Sequence, residues 1–173
     1  MGEEYFTFRT GKSAGKTIEQ VAAEDYLRLR WFHLNVLNKN NVQTRFADRV
    51  LDVLKKLNSF ESQLECAVKK PGCEGKAKNI SIAVRYNQRT GQCEGTSIST
   101  SFIYCNNRLC LDTIDYEPAR VVPIRYAILA QMPPFPKYIV KDVQKALNEC
   151  SGAPKRKTPE ACKKWIDDLV IMP

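Results

Sequence analysis

The chain has 173 residues, with 27 Lys+Arg against 19 Asp+Glu, a formal net charge of +8 and a pI near 9.2. That length can bury a real core as one domain or two small ones, and 43% hydrophobic with 27% charged residues excludes a disordered composition. No apolar run approaches bilayer-spanning length and the acidic, polar N-terminus shows no signal-peptide pattern, so the expectation is an intracellular protein, cytoplasmic or nuclear.

A basic balance calls for an anionic partner, nucleic acid first, with acidic proteins and anionic membrane surfaces as the other classes. Seven cysteines in a chain without a secretion signal favour metal ligation or buried thiols over disulfides. Were four of them to hold a divalent ion as thiolates, the net charge would fall only to about +6, so the basic bias survives.

In chain order, residues 4–9 read as a short strand that leads into Gly11-Lys-Ser-Ala-Gly-Lys-Thr17. A Walker A loop needs four residues between its first glycine and the Gly-Lys-Thr triplet, and only Lys12, Ser13 and Ala14 separate Gly11 from Gly15. Thr17-Ile-Glu-Gln20 fits a capping box, which puts Gly15-Lys16 at a helix start where free amides and the helix dipole favour an anion. Asp25 is placed to cap a second helix running to about Leu37, with Leu27, Trp31 and Leu34 on its apolar face and Arg28 and Arg30 pointing outward. After the loop Asn38-Lys-Asn-Asn41, Phe46, Val50, Val53, Leu54 and Leu57 recur at helical spacing and predict a third helix from about Val42 to Leu57.

The run Gly11-Lys-x-x-Gly-Lys-Thr-Ile-Glu-x-Val-Ala-x-Glu-Asp25, followed by Tyr26-Leu27 and Arg30-Trp31, resembles the small C-terminal module of exodeoxyribonuclease X and related stand-alone proteins. The resemblance covers about residues 5–37. It implies a β-turn presenting Gly-Lys-x-x-Gly-Lys, followed by helices with an aromatic Tyr-Leu-x-Trp core. One departure is that the family carries Pro-Gly before Tyr-Leu, whereas Asp25 stands there here. Arg9, Lys12, Gly15 and Lys16 are then candidate nucleic-acid-binding residues, their side chains and the amides around Gly15 holding phosphates.

The pattern changes after residue 60. Ile80, Ile82, Val84 and Tyr86 alternate, as do Ile98, Phe102 and Tyr104, with a glycine-containing turn between, and together they predict a β-hairpin. Cys66-x6-Cys73 precedes it and Cys105-x4-Cys110 follows it. If Ile82 faces Ile98, residue 75 lies opposite Cys105, and both cysteine pairs meet at the open end while Cys93 sits near the tip opposite Asn87. Four soft thiolates converging there suit a tetrahedral, zinc-ribbon-like Zn2+ site that would supply folding energy to a marginal hairpin. The alternative is four unligated thiols packed as small hydrophobes.

Residues 111–114 and 121–129 read as short β-like pieces, and Met132-Pro-Pro-Phe-Pro136 as an extended connector. Tyr138 to Cys150 forms an amphipathic helix with Ile139, Val143, Ala146 and Leu147 inward, and Thr158-Pro159 starts a last helix ending near Leu169. Cys150 and Cys162 are expected to be buried free thiols. Lys155, Arg156 and Lys157, with Lys163 and Lys164, make a second basic cluster, a further nucleic-acid candidate or a solvated run. Trp31 and Trp165 are expected in the core.

Catalytic candidates are weak. His33 is the single histidine and lies between Phe32 and Leu34 in a helix. Asp112, Asp115 and Glu117 cluster, but no further carboxylate motif supports a two-metal centre. The sequence therefore predicts an α+β protein in three segments, 1–60, 61–131 and 132–173. It is expected to bind nucleic acid, DNA before RNA, without catalysis, accessory to replication, repair or a viral or mobile-element process. The alternatives are a protein-interaction or regulatory factor whose basic surface meets an acidic protein and, third, a P-loop-like NTPase or nuclease.

Overall fold

The computed structural model describes residues 5–40, 43–90, 93–112, 119–132 and 137–171, with backbone only at 83–86, 93–102 and 119–120. The fold is mixed, with helices α1 (Ile18–Glu24), α2 (Tyr26–Phe32), α3 (Arg45–Ser59), α4 (Arg108–Leu111), α5 (Lys137–Cys150) and α6 (Pro159–Asp167). Strands β1 (Asn79–Tyr86), β2 (Cys93–Tyr104) and β3 (Ala119–Pro123) form one antiparallel sheet in the order β2-β1-β3. Two compact units result, residues 1–60 with 153–173 and residues 61–152. The division differs from the three consecutive segments expected, because α6 packs on α1 and α3 whereas α5 packs on β2.

In the first unit the turn and caps follow the sequence pattern. Thr17 and Gln20 complete the capping box of α1, the Asp25 side chain accepts from the Arg28 N–H, and Thr44 and Thr158 cap α3 and α6. The strand expected at residues 4–9 is reduced to a single bridge, Thr7 with Thr17. The core is made by Ile18, Tyr26, Leu29, Val50, Val53, Leu57, Phe60, Trp165 and Ile166, all buried. Burying such side chains stabilises by about 1.5–3 kcal/mol each before entropy is set against it. Beside them Phe8, Phe32 and Phe46 meet edge to face, with ring centroids 5.0–6.1 Å apart.

The second helix corrects the sequence expectation. It turns from α into π geometry at His33–Asn38, and its buried residues are Tyr26, Leu29 and Leu37. Trp31 is 58% exposed and Leu34 41% exposed, so the stripe Leu27, Trp31, Leu34 does not face the core. An amphipathic assignment from alternating Leu and Arg is ambiguous by one position, and the buried face is that of Tyr26 and Leu29.

A buried ion network ties three helices of this unit. Glu19 of α1, 3% exposed, accepts from Arg49 Nε at 2.8 Å, and Arg49 also reaches Asp52 at 2.9 Å and Asp167 of α6 at 2.7 Å. Burial alone would raise the Asp167 carboxyl, but hydrogen bonds from Lys163 and Arg49 hold it below the ordinary range.

In the second unit, Ile82 faces Ile98 as the alternation predicts. A bulge then changes the register: β1 advances two residues, from Ile82 to Ile80, while β2 advances five, from Ile98 to Ile103. Asn79 consequently faces Tyr104 at the end of the ladder, which leaves Cys105 one residue past it rather than opposite residue 75, and Cys93 pairs with Tyr86 rather than Asn87. β3 pairs with β1 on its other side, so the hairpin is part of a three-stranded sheet. Residues 126–131 form a 3-10 turn instead of the strand read there, and Arg108–Leu111 are helical; the expected β-like piece at 111–114 and the prolines of 133–136 lie in part or wholly outside the described residues. Ile139, Val143, Ala146 and Leu147 of α5 are buried as the amphipathic pattern predicts.

Removing Arg49 leaves the Glu19 carboxylate buried and unpaired. Arg49→Leu is expected to destabilise the protein by about 3 kcal/mol, read as a lowered urea midpoint, whereas Lys164→Ala, which breaks an exposed pair, shifts it by less than about 1 kcal/mol.

Candidate metal centre

The four cysteines flanking the hairpin converge. The Sγ atoms of Cys66, Cys73, Cys105 and Cys110 all lie within 4.8 Å of one another, and Cys73 and Cys105 are 3.8 Å apart. A tetrahedron of sulfurs at a metal–sulfur distance of about 2.3 Å has edges of about 3.8 Å, so this arrangement can hold a metal ion with small adjustments. Cys66, Cys105 and Cys110 are fully buried, and they form a hydrophobic cluster of their own to which only Val68 and Cys73 are added.

Local backbone hydrogen bonds bring the sulfurs together. Residues 65–77 fold back as a loop closed by the Glu65–Lys76 bridge, by Cys66 N–H to Gly75 O at 2.6 Å and by Ala77 N–H to Leu64 O at 3.0 Å. Ala67 N–H donates to Ile103 O at 3.0 Å and Lys78 N–H to Tyr104 O at 2.8 Å, which fasten the loop to the end of β2. The bulge and this loop, rather than the straight register expected, therefore place Cys66 and Cys73 beside Cys105.

Asn107, a residue without a metal-ligand signal of its own, links the two cysteine loops. Its carbonyl oxygen accepts from Leu109 N–H at 2.9 Å and so caps the turn α4 that carries Cys110. Its amide donates to Gly72 O at 2.9 Å, next to Cys73. A Cβ on Gly72, where φ is +76°, would come within 3.0 Å of that amide, so both the conformation and the space call for glycine. An Asn one residue after Cys105-Asn106 and three before Cys110 is the Asx-cap pattern that would have revealed it.

The electrostatics divide the thiols. Burial by itself raises Cys66, but the backbone N–H groups of Lys69, Cys105 and Val68 point at its sulfur and bring it down to about 6. Cys73 receives the Gly75 N–H at 3.4 Å, yet burial and the neighbouring sulfurs leave it raised. Cys110 is pushed up to about 12 by burial, and the adjacent sulfurs add to this. A cation among the sulfurs would favour the thiolate form. If all four sulfurs ligate, no coordination position remains for water or substrate, which is the arrangement of a structural site.

Elsewhere the candidate residues separate. Gly15, at φ +78°, donates its N–H to Phe8 O at 2.9 Å; Lys16 N–H goes to Ser13 O, Thr17 N–H to Gln20 Oε1 and Ile18 N–H to Phe6 O. The amides expected to hold a phosphate are thus already satisfied within the turn, and Gly15 serves its conformation. Lys16 pairs with Glu24. Lys157 turns inward, its Nζ donating to Ala23 O at 3.0 Å near the end of α1 and its carbonyl accepting from Gln20 at 2.8 Å. Arg9, Lys12, Lys155 and Arg156 are exposed and form no ion pair among the described residues.

His33 is half-buried and its Nδ1 has no hydrogen-bond partner. Asp112 is exposed beside Arg108, and Asp115 and Glu117 lie outside the described residues. Cys150 and Cys162 are buried free thiols, pushed up by burial to about 12 and about 11, which makes them poor nucleophiles. Among the described residues no helix is long and apolar enough to cross a membrane. Comparison with protein-family models, curated proteins and solved structures finds no match for this chain.

Asn107→Ala removes both the cap and the link to Gly72. It is expected to cost about 1–2 kcal/mol in stability and to weaken metal retention, measured as faster release of bound metal to a chelator, while Asn106→Ala leaves retention within about twofold.

Proposed function

We propose that this chain is a non-catalytic nucleic-acid-binding protein whose second unit is held by structural Zn2+. For the metal, the carrying observation is the set of four sulfurs within 4.8 Å, three of them fully buried. All-thiolate, tetrahedral ligation suits zinc among the common cellular ions, and the bound ion would provide the charge that lets every sulfur ionise. It would also supply folding energy to a cysteine cluster with little apolar packing of its own.

For nucleic acid, the support is the net charge of +8 and the exposed side chains of Arg9, Lys12, Lys155 and Arg156 on the first unit, which form no ion pair among the described residues. In that unit Lys16, Arg49, Lys56, Lys163 and Lys164 are neutralised by carboxylates, so these four are cations available to phosphates. The resemblance to the exonuclease X C-terminal module points the same way and favours DNA over RNA. Binding is then through side chains on phosphates, since the turn amides are engaged internally; such an interface carries little sequence preference.

Elemental analysis of purified protein is expected to find about one zinc per chain, with Cys105→Ser losing it and unfolding at lower temperature. Iron or no metal in a fully stable protein removes the zinc assignment. Binding to random duplex, titrated with salt, should give a log–log slope that becomes shallower by about 0.9 for each phosphate no longer neutralised, so Arg9→Glu with Lys12→Glu flattens it by nearly two. Absence of binding at low salt ends the nucleic-acid proposal.

A further inference from the structure

We infer that the first unit carries a docking groove for an acidic amphipathic helix, between α2 with its π turn and α3. This does not depend on the nucleic-acid proposal, since it rests on other residues. The groove has a volume of about 620 Å3, and Leu34, Leu51, Leu54 and Ile171 supply its apolar lining. Leu34 is 41% exposed, Leu51 38% and Ile171 49%, and Trp31, one helical turn before Leu34, is 58% exposed. Large apolar side chains gathered in this way mark an interaction surface more often than singly scattered ones do.

The phase of the helix creates the strip. Trp31 and Leu34 lie two and five residues after the buried Leu29, off its face of the helix at about 100° per residue, while Leu37 returns to the core. A furrow between two helices receives the i, i+3 or i+4, and i+7 side chains of a third helix, which identifies the form of the occupant.

Charge identifies its chemistry. The charged residues lining the groove are Arg30 and Lys55; neither has an ion-pair partner among the described residues, and no described lining residue is a carboxylate. An occupant with Asp or Glu beside its apolar anchors neutralises both cations, whereas a basic one is repelled. A second copy of this chain is disfavoured for the same reason, because a two-fold interface through this face would bring two copies of Arg30 and Lys55 together with no carboxylate of the described lining to balance them.

The test is selection of displayed random 16-residue peptides on the full chain, with counter-selection on a Leu34→Glu, Leu51→Glu variant whose melting profile matches the native one. Both positions are exposed, so the variant is expected to fold; if it does not, the single Leu51→Glu change serves. Peptides enriched on the native chain alone should carry more Asp and Glu than Lys and Arg, with apolar residues at helical spacing. A synthesised member should lose at least about tenfold in affinity on Leu51→Glu and a similar factor on Arg30→Glu with Lys55→Glu. No enrichment over the variant, or enriched peptides that are neutral or basic, overturns the inference. So does affinity unchanged by the charge reversal. Self-association in sedimentation that Leu34→Glu with Leu51→Glu abolishes would assign the groove to a second copy and overturn it equally.

Discussion

Four sulfur atoms within 4.8 Å of one another set the constraint on which the second unit depends. Uncharged, they are small hydrophobes that bury little area; charged, they repel unless a cation lies between them. Backbone hydrogen bonding lowers the thiol of one of them, Cys66, below its ordinary value against the effect of burial. The loop at residues 65–77, the bulge in β2 and the Asn107 clasp all converge on this point, so the end of the sheet is shaped around the sulfurs.

The first unit is organised by a different balance. Its core is ordinary apolar packing, but Glu19 is buried within it and would carry a large desolvation penalty without Arg49. That one guanidinium, shared by carboxylates of α1, α3 and α6, joins the last helix to residues far away in sequence. Cations engaged in such networks are withdrawn from the surface, which is why the formal charge overstates the positive side chains offered to a partner. The distinction between engaged and available cations separates Lys16 and Lys157 from Arg9, Lys12, Lys155 and Arg156.

The two candidate surfaces of the first unit call on different chemistry. Exposed lysine and arginine side chains on a polar turn suit phosphates, which need charge and no apolar burial. The groove beside α3 combines exposed leucines with only two cations, and its demand for burial fits a folded segment better than a nucleic-acid strand.

Several features were determined by the sequence alone because their causes are local. The capping box at Thr17, the caps at Asp25 and Thr158, the inward face of α5 and the alternation of β1 depend on neighbours within a few residues. The four-cysteine meeting was also legible, since two pairs flanking a hairpin must come near its open end. Tertiary structure decided the rest. The bulge that set Tyr104 opposite Asn79, the pairing of β3 with β1, and the inward turn of Lys157 each depend on partners distant in sequence. The amides at Gly15 looked free for an anion only because their acceptors, Phe8 O and Phe6 O, come from a segment whose fold back is not written in the turn itself. Trp31 looked like core because hydrophobicity states what favours burial, whereas the phase of the helix, set by the buried Tyr26 and Leu29, decides which side chains receive it.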